Sequence, residues 1–257
     1  MSHPPILRLR PGVVVVRRDD HHLQVGLEPP HRVVLPDLPE IRVLVDALQH
    51  ERSIRSSSPR VVHAVDRLRA ADLLEPDEQD RAVTVAVVPI GPRRLVDSAA
   101  PLLRAAGVRL TERADVRLLL AYGALHRELA DPLVRDGIAH LAAVVTPWGW
   151  DVGPFVAPGE TACLRCIDAA RADHDPRHAV IVDQVARAAA HAPSSAALDA
   201  LALGWIARDL TAYARGDRPS TWSTTVRLVE SPGEEPVSER RWLRHPLCGC
   251  AWDALAG

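Results

Sequence analysis

The sequence contains no lysine and no asparagine; its 31 basic residues other than histidine are all arginine. A missing ammonium group removes whole chemistries: a phosphate-loop lysine, a Schiff-base lysine and a lysine general base. Long apolar runs are also absent. No stretch approaches the ~20 residues that a membrane-crossing helix needs, and no membrane partner is expected. The opening MSHPPILRLR lacks the apolar centre of a secretory signal, so the expected location is the cytoplasm. A formal charge of -2 over 257 residues supplies no overall basic field to recruit nucleic acid. The length allows one large domain or two small ones.

Cysteine is scarce but ordered. The chain has four, as CLRC at Cys163 and Cys166 and as CGC at Cys248 and Cys250. In a chain without an export signal, two short pairs with none left over favour metal over disulfide. Zinc takes four soft ligands in a tetrahedron, and such a closed site is structural because no position stays open for water. Two disulfides, or four unligated thiols, are the alternatives. His245 is expected to be a turn residue rather than a ligand.

Along the chain, the β-branched runs at Val13–Val16, Leu23–Leu27 and Arg32–Leu35 are split by turn residues and predict a three-stranded meander. Ile41, Leu44, Val45 and Leu48 follow helical spacing from about Pro39. Ser58-Pro59 opens a second helix with a buried stripe of Val61, Val62, Val65 and Leu68. The acidic segment Glu75–Asp80 reads as a linker. This order suggests a winged helix-turn-helix over residues 1–78, with the middle helix lost. DNA binding is the usual use of that fold, yet residues 1–80 carry 11 arginines against 13 acidic residues, so a basic face is not evident. From residue 79 to 257, strands alternate with helices. Val83–Val88, Val108–Thr111, Val116–Tyr122 and Leu141–Thr146 predict a doubly wound parallel sheet.

A nucleotide-binding version of that sheet would place G-x-G-x-x-G after its first strand. Here the stretch is Pro89 to Arg94, PIGPRR, with only Gly91 retained. Proline removes an amide from a loop whose purpose is to present amides.

The segments at residues 9–35 and 152–168 and HPLCGC at 245–250 resemble the ThiF-like leader-peptide-binding proteins of azoline-forming ribosomal peptide clusters. The likeness spans essentially the whole chain. It implies an N-terminal recognition element for a precursor leader peptide, a ThiF/MoeB-like body with structural zinc, and a YcaO-type cyclodehydratase as partner; it allows a homodimer. It also implies that the leader adds as a strand in a groove formed by Arg32, Val33, Val34 and Leu35 and the helix after Ser58. Arg60, Arg67 and Arg69 would face acidic leader residues. The degenerate loop and the missing lysine lead to the expectation of a non-catalytic scaffold for which ATP is not a cofactor. The competing readings are an adenylating enzyme of the ThiF class and a winged-helix DNA-binding regulator.

Overall fold

The computed structural model describes residues 7–50, 52, 58–75, 85–188 and 194–250. Ser56, Ser57, most of the Glu75–Asp80 linker with the expected boundary after residue 78, and Val83-Thr84 lie outside the described residues. The chain forms two compact units, Met1–Ala82 and Val83–Gly257.

Among the described residues, the first unit is an antiparallel meander with two helices. Strands β1 (Val15–Arg17), β2 (His22–Val25) and β3 (Val33–Pro36) pair in the order β1-β2-β3. Leu23 faces Leu35 and Val25 faces Val33 across the second ladder. Helix α1 (Pro39–Gln49) begins with proline at its first turn and buries Ile41, Leu44, Val45 and Leu48, the stripe read from spacing. Helix α2 (Pro59–Ala70) buries Val61, Ala64 and Leu68. Val62, expected in that stripe, is 49% exposed: one residue beyond Val61 turns the side chain ~100° off the buried face. Val33 and Leu35 join these helices in one core with Leu73 and Leu74.

The second unit is a seven-stranded sheet with helices on both faces. Its strands are β4 (Val85–Ile90), β5 (Val108–Leu110), β6 (Val116–Tyr122), β7 (Ala139–Thr146), β8 (Gly149–Val156), β9 (Thr224–Val229) and β10 (Val237–Arg241). Their order is β10-β9-β8-β7-β6-β4-β5. The pairings among β4, β5, β6 and β7 are parallel; those that add β8, β9 and β10 are antiparallel. The sheet is therefore mixed: the parallel set expected from the alternating strands is its first four strands, and β9 and β10 form an antiparallel hairpin, as the sequence Thr221–Val229 and Val237–Leu243 about SPGEE suggests. The antiparallel part begins at β8, whose GWDVGPFV carries two glycines and a proline and lacks a strand-like pattern. Gly153 sits at φ +101, where a Cβ would come 2.2 Å from the Thr224 carbonyl oxygen, so β8 and β9 approach closely only because that residue is glycine.

Strands β6 and β7 are buried along most of their length, as central strands covered on both faces are. Leu118 and Leu120 face one layer, with α3 (Arg93–Ala105) and α7 (Ala196–Ala214). Leu119 and Ala121 face the other, with α4 (Arg127–Arg135) and α5 (Leu164–Ala172). Each fully buried leucine contributes about 1.5–3 kcal/mol of transfer free energy. Helix α6 (His178–Ala188) has no buried residue.

Candidate functional site

Helix α5 and the C-terminal turn bring the two cysteine pairs together. Cys163 is the N-cap of α5 and Cys166 lies in its first turn. Pro246–Cys248 form a 3-10 turn whose first residue is set by His245, which accepts a hydrogen bond from the Leu247 amide through Nδ1 at 3.2 Å. His245 is thus the turn residue expected.

All four Sγ atoms lie within 4.8 Å of one another. Cys163 is 3.8 Å from Cys166 and 3.4 Å from Cys248, and Cys166 is 3.3 Å from Cys250. These separations are far longer than the ~2.05 Å of a disulfide. A zinc ion with bonds of ~2.3 Å would hold its sulfurs about 3.8 Å apart, so the donor set fits that ion. The electrostatics point the same way. The Cys163 thiol donates to Cys166 and holds the Cys166 thiol down, to about 4. That bond, with burial, pushes Cys163 up. Burial pushes Cys248 up to about 12. Thiols held this close become thiolates together only around a cation, because each negative charge disfavours the next.

The strand edge of the first unit is the second feature. β3 ends its sheet, so among the described residues one side of it has no strand partner. Asp37 donates its amide to the His21 carbonyl at 2.7 Å, which turns Asp37 toward the β2 side. Backbone groups alternate along an antiparallel strand, so Leu35 and Val33 also point at β2 and Val34 points at the open edge. Side chains alternate as well: Val33 and Leu35 are core, Val34 is half-buried and Arg32 is exposed. Arg67 of α2 reaches this edge and donates to the Val34 carbonyl at 3.0 Å. Arg60 instead contacts Glu40 at 3.3 Å, and Arg69 contacts Asp66 at 3.3 Å. Ser58 donates to Glu40 at 2.6 Å, which chiefly holds that carboxyl below its usual range. The structure thus brings Arg67 to the strand and leaves Arg60 and Arg69 on paired helix positions.

The loop expected to have lost its glycines is two residues long. β4 ends at Ile90, and α3 starts at Arg93 after Gly91 and Pro92. A Cβ on Gly91 would meet the Leu120 carbonyl oxygen at 2.3 Å, so this glycine serves strand packing. Arg93 and Arg94 stand exposed on the first turn of α3.

No protein-family model matches the chain, and no curated protein matches it. Solved structures do. The heterocyclase TruD superposes with a TM-score of 0.71 at 16% identity, covering 96% of this chain and 43% of TruD. A heterocyclase in complex with substrate and cofactor gives 0.66 at 16% identity, covering 96% and 39%. E. coli MccB with ATP gives 0.55 at 13% identity, covering 95% and 99%. The chain has the ThiF-like fold. It spans less than half of the heterocyclase chains it matches.

These likenesses overturn the expectation of a non-catalytic scaffold. The structures that share the fold include a heterocyclase and a protein solved with ATP, and they point to an enzyme. The expectation against ATP loses its ground for the same reason. A helix N-terminus flanked by arginines, as at Arg93 and Arg94, meets anions without a glycine loop.

Sequence reasoning also missed a buried ion pair. Arg127 at the start of α4 donates through Nε and Nη2 to both oxygens of Asp168 on α5, at 2.6 and 2.7 Å. The partners are 41 residues apart, and no local pattern signals such a pair.

Proposed function

We propose that the chain is the peptide-recruiting, ThiF-like component of a heterocycle-forming enzyme, acting with a YcaO-type cyclodehydratase on Cys, Ser or Thr residues of a ribosomal precursor peptide. The observation that carries this reading is the superposition of 96% of the chain on 43% of a heterocyclase. The function of the remaining heterocyclase length is what we assign to the YcaO-type partner. Residues 1–78 are read as the winged-helix recognition element and the rest as the ThiF-like body.

Recruitment uses the open edge of β3. A disordered leader gains main-chain hydrogen bonds by adding as a strand, and its side chains fill alternate positions beside α2. The Val34 amide and carbonyl are the groups presented there. Arg67, freed from the Val34 carbonyl as the leader docks, turns to an acidic leader residue. Cys163, Cys166, Cys248 and Cys250 would hold zinc, which supplies cross-linking of α5 to the C-terminal turn and no open coordination position.

The test is cyclodehydration of the full precursor by the YcaO partner with and without this chain, followed by loss of water in the mass spectrum. Heterocycle formation that depends on this chain and on the leader is the expected result. Equal turnover without the chain would refute the reading.

One observation favours a second reading, ATP-dependent adenylation: the fold is shared with MccB in its ATP-bound structure. Pyrophosphate exchange with precursor peptide and this chain alone distinguishes the two.

A further inference from the structure

We propose that the ThiF-like unit carries a separate binding site for a small apolar carboxylate, in the cleft between the sheet and α6, with Arg171 as its anion contact.

The cleft is a cavity of about 260 Å³. Its inner wall is apolar, formed by Ala142 and Val144 of β7 and by Leu164 and Ile167 of α5. Its outer wall is α6, through Ile181 and Val185. These two remain 46% and 40% exposed, so the helix rests over the cleft without closing it. A second depression of about 180 Å³ on β8, β9 and β10 shares Asp151, Arg171 and Thr225 with the first. Arg171 therefore stands where the two join.

Arg171 is a cation without a counter-anion. Among the described residues it makes no side-chain hydrogen bond or ion pair. The two carboxylates whose charge it feels, Asp151 and Asp168, are already engaged. Asp151 takes Arg227 at 2.9 and 3.1 Å, and Asp168 takes Arg127. Arg227 and Arg240 add like charge around it. The Arg171 guanidinium lies over the Trp242 ring, 5.2 Å from its centroid, and Arg240 lies 4.3 Å from the same ring. This ring contact engages the cation without using its N–H groups as hydrogen-bond donors.

The chemistry of the walls selects the ligand. A free guanidinium pairs with a carboxylate through two parallel hydrogen bonds. One negative charge balances one unpaired cation. A doubly charged phosphate has no apolar body to set against these walls and would leave one charge beyond the unpaired cation. The apolar walls then take an aliphatic body, and the cavity, at the small end for ligand pockets, suits one about the size of an amino acid.

The test uses the full-length chain with N-acetyl-leucine, its neutral amide and inorganic phosphate, read by calorimetry or ligand-observed NMR. The acid should bind in the millimolar range, with the amide at least about tenfold weaker and phosphate weaker than the acid. Arg171→Gln should erase the preference for acid over amide. Ile181→Glu, at an exposed helix position, should block the acid by placing a carboxylate in the cleft. It keeps the test open where Arg171→Gln does not fold. Absence of acid binding, equal binding of acid and amide, tighter binding of phosphate, or unchanged acid binding in Ile181→Glu would overturn the proposal. Leader affinity measured on the same samples should not change in Ile181→Glu, so this proposal and the recruitment reading fail separately.

Discussion

The Arg67 guanidinium donates to the Val34 carbonyl oxygen at 3.0 Å, occupying one of the two backbone groups that Val34 turns toward the open edge of β3. A leader strand that uses this carbonyl must displace Arg67, and a nearby acidic leader side chain offers the displaced cation a new partner. Arg67→Glu should therefore weaken leader binding roughly tenfold at low salt and less at high salt, because charge pairing at an exposed site is screened. The fold should persist, since the side chain lies on the surface. Fluorescence polarisation at two ionic strengths checks this; an effect independent of salt would assign Arg67 a packing role instead.

The thiol cluster should behave as folding energy. Purified chain is expected to carry one zinc per molecule. Cys248→Ala should lower both metal content and melting temperature, because metal binding to such a clip is coupled to folding. Metal analysis beside thermal denaturation checks it. Full stability with well under one zinc per chain would count against the site.

Breaking the Arg127–Asp168 pair from one side should be costly. Their side chains are 14% and 6% exposed, so Asp168→Ala strands a nearly buried guanidinium. Loss of one partner from such a pair costs about 3–5 kcal/mol, whereas replacing both by apolar residues of similar volume costs far less. Urea unfolding of Asp168→Ala and of the double variant Arg127→Met, Asp168→Leu measures both. A double variant no more stable than the single one would contradict the argument.

Acid should destabilise the second unit through His140. Burial pushes this imidazole below its usual range, only partly offset by the bond between Nδ1 and the Ile138 carbonyl at 3.0 Å, and Nε2 has no hydrogen-bond partner among the described residues. The folded state thus resists a proton that the unfolded chain accepts near pH ~6.5. Stability from this group is complete above that pH and is lost as pH falls below it. His178, also lowered chiefly by burial, acts with the same sign. His140→Leu should flatten the decline in melting temperature between about pH 6.5 and 5. An unchanged slope would show that His140 does not set it.

Local patterns reached as far as local physics does. The α1 stripe, the meander and β6 follow from spacing and β-branching alone, and the paired cysteines announced a cluster that α5 and the C-terminal turn then assemble. β8 was hidden because its glycines and proline answer to neighbouring strands: Gly153 is needed by the nearness of Thr224 on β9, a relation across 71 positions of chain. The same holds for Gly91 against Leu120, where the one glycine left of a nucleotide-loop pattern serves packing. The direction of Val34 could not be read from Arg32–Leu35, because alternation fixes two faces without saying which is core; the ladder to β2 decides it. Arg171 carried no sequence signal, since its distinction is that its side chain makes no hydrogen bond or ion pair among the described residues, which only the folded chain reveals.

The most direct measurement of the central claim is leader affinity in two proline variants of the full-length chain. Val34→Pro removes an amide that faces the open edge, while Leu35→Pro removes one that bonds β2. Fluorescence polarisation with a labelled leader from the same gene cluster, run beside thermal denaturation, should show Val34→Pro folded with at least about tenfold weaker binding, and Leu35→Pro destabilised. Tight leader binding by a folded Val34→Pro chain, or no leader binding by the unaltered chain, would contradict recruitment at the β3 edge.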